Sequence, residues 1–168
     1  MRSRLSPSRR KSSTKPDFGS VARSYDELRP ADANWREVFE LLVSEGDLAG
    51  RRVLDIGCGT GRAAEALVER GSRVWGVEPE PEMAALARER VSTVKVAPAE
   101  QLPFKDGWFE RALMWLVVHL VDRPRAFSEA ARVLRGACDP LFTPSPLGPF
   151  LDVGGEVERV AVDGAPPY

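Results

Sequence analysis

The chain has 168 residues, 43% of them apolar and 29% charged, with a formal net charge of −1, which leaves room for one globular domain and little else. The near-neutral total hides an asymmetry: residues 1–15 hold six arginines and lysines and no acid, so with 24 basic and 25 acidic residues overall the rest of the chain carries −7. That sign argues against a broad nucleic-acid groove, whose affinity rests on basic groups neutralising phosphates; no apolar run of 18 residues offers a membrane span, and two distant cysteines, Cys58 and Cys138, form no disulfide framework, so a reducing cytoplasm is expected.

The basic start, "MRSRLSPSRRKSSTK", has the composition of a disordered leader or of a start codon placed too early. A nucleic-acid arm or a transit peptide is the alternative, although Pro7 and the scarcity of apolar residues disfavour an amphipathic transit helix. No apolar core of 7–15 residues follows the charges, so no secretory signal is read. Residues 1–16 are therefore set apart as a tail.

"VARSYDELRPADANWREVFELLVSEG" predicts a turn at Arg29-Pro30 and then a helix. Asp32 or Asn34 would cap it, Trp35, Val38, Phe39, Leu42 and Val43 recur at helical spacing, and Gly46 ends it. "RRVLDI" (51–56) predicts a first strand that stops at glycines. "TGRAAEALVERG" (60–71) predicts a helix with Ala63, Ala64, Leu67 and Val68 on one face and Gly71 as its stop. A second strand follows at 72–78, then a helix in "PEPEMAALARERV", whose prolines and acids suit a helix N-terminus. Residues 92–100 predict strand three. The nearly continuous apolar run 108–118 predicts strand four, and 122–136 a helix with Pro124 near its start and Gly136 at its end. Strands alternating with helices mean βαβ units, and near-continuous apolar strands fit a sheet covered on both faces. The fold class is α/β: a doubly wound, mostly parallel sheet with helices on both sides.

The stretch "VLDIGCGTGR" (53–62) carries the chemistry. Ligands of such sheets bind beyond the carboxyl ends of the strands, where the order reverses. Glycine there lets backbone approach a ligand and supplies turns with φ > 0, and the N–H groups opening the next helix face the same place. A dinucleotide loop wants G-x-G-x-x-G. Gly57 and Gly59 fit it, but the third position falls on Arg62, and Asp55 stands where a pyrophosphate binder would avoid negative charge. Acid-x-G-x-G-x-G suits a ligand with a cationic end.

At this point "VLDIGCGTGR" resembles the first motif of class I S-adenosylmethionine-dependent methyltransferases. "VWGVEPEPEMAALAR", "KVAPAEQLPFKDGWFERALMWLVVHLVD", "PRAFSEAARVLRG" and the N-terminal "FGSVARSYDELRP" are similar to further segments of that family in order and spacing, from about Phe18 to Gly136. The resemblance implies S-adenosyl-L-methionine as cofactor. By position, it implies Asp55 at the methionine amino group, Gly57 and Gly59 against the methionine part and ribose, and Glu78 on both ribose hydroxyls. Met83 would form an adenine face, as an alternative to ordinary helix core. Ala99 and Glu100 would frame the adenine edge, and Met114 and Trp115 would bring strand-four carbonyls near the cofactor amino group. Tyr25 and the lone histidine, His119, are substrate-side candidates. Neither is assigned as a base, no catalytic residue is named, and no metal-binding cluster is read. The acceptor implied is a small molecule, since no Asn/Asp-Pro-Pro-aromatic motif of nucleic-acid methyltransferases follows strand four.

After Gly136 the pattern fails. "ACDPLFTPSPLGPFLDVGGEVERVAVDGAPPY" is punctuated by prolines, which central strands exclude, and only "VERVAV" (157–162) has strand character. The expectation is an irregular tail, 137–168, beside a domain at 17–136 whose sheet is incomplete after strand four. Strand four would then be either an apolar sheet edge, open to association between copies, or a strand covered by irregular chain. Composition and pattern change together at one point, which favours a deletion or frameshift in the coding sequence over a compact variant whose tail covers strand four. Two functional alternatives stand beside the methyltransferase: a non-catalytic fragment that binds the cofactor but has lost its substrate pocket, and a nicotinamide-dependent oxidoreductase. Twenty arginines against four lysines point to a GC-rich bacterial gene.

Overall fold

The computed structural model describes residues 17–135, 141–143 and 158–159. The expected basic tail, 1–16, lies outside them, as does most of the region after Gly136. The chain enters through α1 (Phe18–Val21), a 3-10 turn (Ala22–Ser24) and α2 (Tyr25–Leu28), then forms α3 (Ala33–Glu45). Of the two expected caps the structure uses Asp32, whose carboxylate accepts the Trp35 N–H at 2.8 Å. Three βα units follow: β1 (Arg52–Ile56), α4 (Arg62–Glu69), β2 (Arg73–Glu78), α5 (Pro81–Arg90) and β3 (Val94–Val96), then β4 (Arg111–Trp115) and α6 (Arg123–Val133).

The sheet runs β3-β2-β1-β4-β5-β6, where β5 is Leu141–Thr143 and β6 is Glu158–Arg159. All pairings are parallel except β5 with β6. The doubly wound α/β architecture is as expected. Period-two alternation along the strands sends side chains to two separate cores. Val53 and Leu113 pack with Phe39, Leu42, Ala64, Leu67, Ala84 and Ala87 of α3, α4 and α5. Leu54, Ile56 and Met114 pack with Ala126, Ala130 and Val133 of α6 and with Leu102 and Phe109.

Two strands are shorter than the apolar runs suggested. β3 ends before Ala97-Pro98, where a proline has no N–H for the ladder. β4 ends at Trp115 because Leu116 takes φ +59°, a left-handed conformation that no strand continues through.

The sheet is not closed beyond strand four, as expected, but strand four is not wholly bare. β5 lies parallel along it, with Leu113, Met114 and Trp115 opposite Leu141, Phe142 and Thr143, and Glu158 and Arg159 pair antiparallel with Phe142 and Leu141. The reason is local. Pro140 and Pro144 exclude themselves from a ladder, but the three residues between them keep their N–H groups. Two residues of the expected 157–162 run are thus in the sheet; the others lie outside the described residues. The sheet thus reaches into what the sequence suggested was irregular chain.

Candidate functional site

β1 sends its chain to α4 on one face of the sheet, and β4 sends its chain towards α6 on the other. The loops leaving these two neighbouring strands therefore diverge and open a crevice at their carboxyl ends. One cavity there is lined by Asp55, Gly57 and Gly59 from the β1–α4 loop, Glu78 at the end of β2, Met83 in α5, Ala99 and Glu100 beyond β3, Trp115 at the end of β4, and Tyr25 from α2.

The glycine loop is shaped by close approaches. Gly57 has φ +74°, and a Cβ there would stand 2.5 Å from Val117 Cγ2. Its N–H and that of Cys58 both donate to the Val77 carbonyl, at 2.7 and 3.0 Å, which bends the chain out of β1. Gly61 precedes α4 with φ +84°, and a Cβ would come within 2.9 Å of the Ala87 Cα. The third glycine of the alternation thus serves helix packing, while Gly59 opens on empty space.

Two acids sit behind this loop. Asp55 is 1% exposed, and among the described residues its Oδ2 meets no hydrogen-bond partner. Burial, and secondarily the charge of Glu78, push its pKa up to about 7. Glu78 is also buried; its two oxygens accept the Gly59 N–H at 2.9 Å and the Glu80 N–H at 3.0 Å. Burial raises its pKa against the effect of those two donors. A buried carboxylate oxygen without a donor, next to a second carboxylate, is costly unless a cation comes to it. The pair is therefore built for a ligand whose inward end carries positive charge and N–H donors. That is the group the glycine-loop motif implied, and the residues present fit it.

Glu100 reaches across to the start of α6, where its Oε1 accepts the Asp122 N–H at 2.7 Å. Trp115 stacks with Trp35 at 5.0 Å and with Phe39 at 5.4 Å between ring centroids, which makes one apolar wall. His119 is not brought to the cavity, and of the strand-four pair, expected there through backbone carbonyls, only Trp115 lines it. Met114 is fully buried in the core beneath α6, because alternation along β4 turns it away from the face that holds Trp115. His119 is exposed in a turn closed by the Leu120 N–H to the Val117 carbonyl at 2.8 Å, and its neighbours Val117, Leu120 and Val121 line the cavity instead.

Phe18, Trp35, Thr60, Arg62 and the run Leu116–Val117 are among further lining residues to which the motif assigns no role. Trp35 belongs to a helical stripe that signals core. The stack with Trp115 that brings it to the site spans 80 residues of sequence and leaves no local trace.

Residues 54–137 match the methyltransferase domain family, half of the chain. The chain belongs to that family. An uncharacterized methyltransferase of Mycobacterium tuberculosis (strain H37Rv) is 38% identical to this methyltransferase domain over 120 residues, 70% of this chain and 47% of that protein. The ubiquinone/menaquinone biosynthesis C-methyltransferase of Geobacter sp. (strain M21) is 34% identical over 137 residues, 71% of this chain and 57% of that one. A crystal structure from Thermotoga maritima, described as a SAM-dependent methyltransferase and possible histamine N-methyltransferase, superposes with a TM-score of 0.57 at 34% identity, covering 74% of this chain and 59% of that one. The chain spans about half the length of the relatives it matches. The nicotinamide-dependent alternative draws no support from these matches, and among the described residues no helix is long and apolar enough to cross a membrane.

Proposed function

We propose that this methyltransferase domain holds S-adenosylmethionine in the cavity at the β1–β4 crevice and directs its methyl group to a small-molecule acceptor. The observation that carries the reading is the buried, donor-less Oδ2 of Asp55 beside Glu78. Asp55 would take the amino group of the methionine portion and Glu78 the ribose hydroxyls, with Gly57 and Gly59 letting backbone lie close. Met83 would support the adenine face, Ala99 and Glu100 its edge, and the Trp115–Leu116 backbone the end of strand four. When bound, the cofactor supplies a methyl already activated on a sulfonium, so transfer needs mainly alignment and exclusion of water.

The chain's own contribution is that alignment. Trp35, Trp115, Val117, Leu120 and Val121 form the drier side of the cavity, where an acceptor would meet the methyl. Cys58 is no nucleophile: burial first, then the charges of Asp55 and Glu78, push its thiol far above the ordinary range. His119 does not line the cavity, so the reading assigns it no role as a base. An acceptor whose own nucleophilic atom is ionised or carries a free lone pair is the one this arrangement serves. One relative is a C-methyltransferase and one structural neighbour a possible histamine N-methyltransferase, so the reading covers carbon and nitrogen acceptors alike. The acidic body supports a small-molecule acceptor over nucleic acid, the two distant cysteines support a reducing cytoplasm, and the bacterial relatives support a bacterial source.

The test is calorimetric titration with S-adenosylmethionine, with Asp55→Ala as control, followed by an assay for S-adenosylhomocysteine release with candidate acceptors. Micromolar binding that is lost in Asp55→Ala is the expected result. Binding without turnover would favour the second reading, a cofactor-binding fragment, which the half-length match to relatives motivates. No binding by folded protein would end both.

A further inference from the structure

The segment 17–31 lies over the cavity but is scarcely held there by apolar burial. Tyr25 and Phe18 line the site, with their rings edge to face at 6.4 Å. Across α1, the 3-10 turn and α2, Ala22 is the one buried residue. Elements with so little buried apolar surface open at low free energy, and lids are drawn from them.

What ties the segment down is Asp26, on the helix that carries Tyr25. One carboxylate oxygen accepts the Thr60 hydroxyl at 2.7 Å, and the other meets the Arg90 guanidinium at 2.6 Å. Arg90 in turn donates to both the carbonyl and the hydroxyl oxygen of Thr60, each at 3.1 Å. Arg62 approaches Asp26 at 3.8 Å, donates to the Arg29 carbonyl and lies over the Trp35 ring at 5.6 Å. Thr60 is buried within the glycine loop itself, so the latch closes on the loop that cradles the ligand. Charge-assisted, partly buried contacts of this kind are stronger than exposed pairs.

We propose that Asp26 is a positioning residue that latches segment 17–31 shut over the cofactor and so sets how long the cofactor stays. The proposal rests on the reading of the cavity as the S-adenosylmethionine site. Because the latch and the ligand share the Thr60 loop, closing one favours the other, and the coupling is reciprocal. Asp26 touches no reacting atom; it acts through Thr60, Arg90 and the placement of Tyr25.

The test uses the full chain and two readouts, in wild type, Asp26→Ala and the milder Asp26→Asn. Hydrogen exchange of segment 17–31 reads the latch without cofactor. Stopped-flow tryptophan fluorescence, with Trp35 and Trp115 as reporters, reads S-adenosylmethionine association and dissociation. The latch predicts exchange at least tenfold faster in 17–31 of Asp26→Ala with the central strands unchanged, a dissociation rate raised about tenfold, and association altered less than threefold. Asp26→Asn, which keeps the acceptor for Thr60 but loses the charge toward Arg90, should fall between. Wild-type binding with an unchanged dissociation rate in Asp26→Ala overturns the latch alone. Local exchange that responds to Asp26 in a wild-type protein binding no cofactor overturns the reading of the site. Exchange that rises across the whole sheet makes Asp26 a general structural residue and also overturns the proposal.

Discussion

Asp55 shows how one side chain can serve a ligand at the cost of the empty protein. Its carboxyl ionises near pH 7 in the folded chain, against an ordinary value of 3.8. Between those values the folded state holds a proton that the unfolded state has released, so this residue's contribution to stability is full below about pH 4 and lost as pH rises through 7. Glu78, also raised by burial, adds a slope of the same sign. Asp55→Asn should therefore stabilise the cofactor-free protein at pH 8 by on the order of 1–3 kcal/mol and flatten the fall in stability between pH 5 and 8, read by urea unfolding at several pH values. The same substitution should weaken S-adenosylmethionine binding at least tenfold. In wild type, binding needs the carboxylate, so affinity should drop about tenfold from pH 8 to pH 6 by calorimetry. An affinity flat with pH would mean that Asp55 does not meet the cofactor's positive end.

The helices owe their positions to contacts that one residue can spoil. α4 and α5 meet where Gly61 faces the Ala87 backbone, so Gly61→Ala combines a left-handed φ with a clash that no flexible side chain can relieve. A loss of about 2–4 kcal/mol is expected in urea unfolding. On α3, Phe39 is fully buried and holds both Trp35 and Trp115. Phe39→Ala should cost about 3–5 kcal/mol and, by loosening the cavity wall, also lower cofactor affinity. Unchanged affinity would show that the wall is set by the sheet and not by α3. These helices were visible in the chain because caps, glycine stops and apolar spacing are written locally. The ends of β3 and β4 were not, because a left-handed Leu116 obeys its surroundings and no sequence rule announces it.

For the molecule as a whole, the question is what lies beside β4 in a sheet that is not closed. Three residues between prolines supply the answer in β5, with β6 beside it. A chain ending at Arg135 should therefore expose the β4 ladder, with its apolar "ALMW" run, and self-associate in sedimentation velocity where the full chain does not. Equal sedimentation of both would mean that β5 does not protect the edge. The expectation of a truncation or frameshift near Gly136 agrees with the half-length match to relatives, and the nucleotide sequence is its direct test: a strand-encoding reading frame downstream would sustain it, and its absence would end it.

The α/β class, the order of elements through α6, the glycine cradle with its acid, and part of the cavity lining followed from the amino-acid sequence, because strand and helix periodicities, caps and the spacing of glycines act over a few residues. The tertiary structure decided the rest. It made Asp55 a carboxyl near pH 7, since a pKa answers to burial by distant segments. It turned the Met114 side chain into the core, left His119 outside the cavity and brought Trp35 to it, since which way a side chain faces depends on where its strand or helix ends and what it packs on. It gave strand four a neighbour, since a three-residue strand has no periodicity to betray it and exists only by pairing.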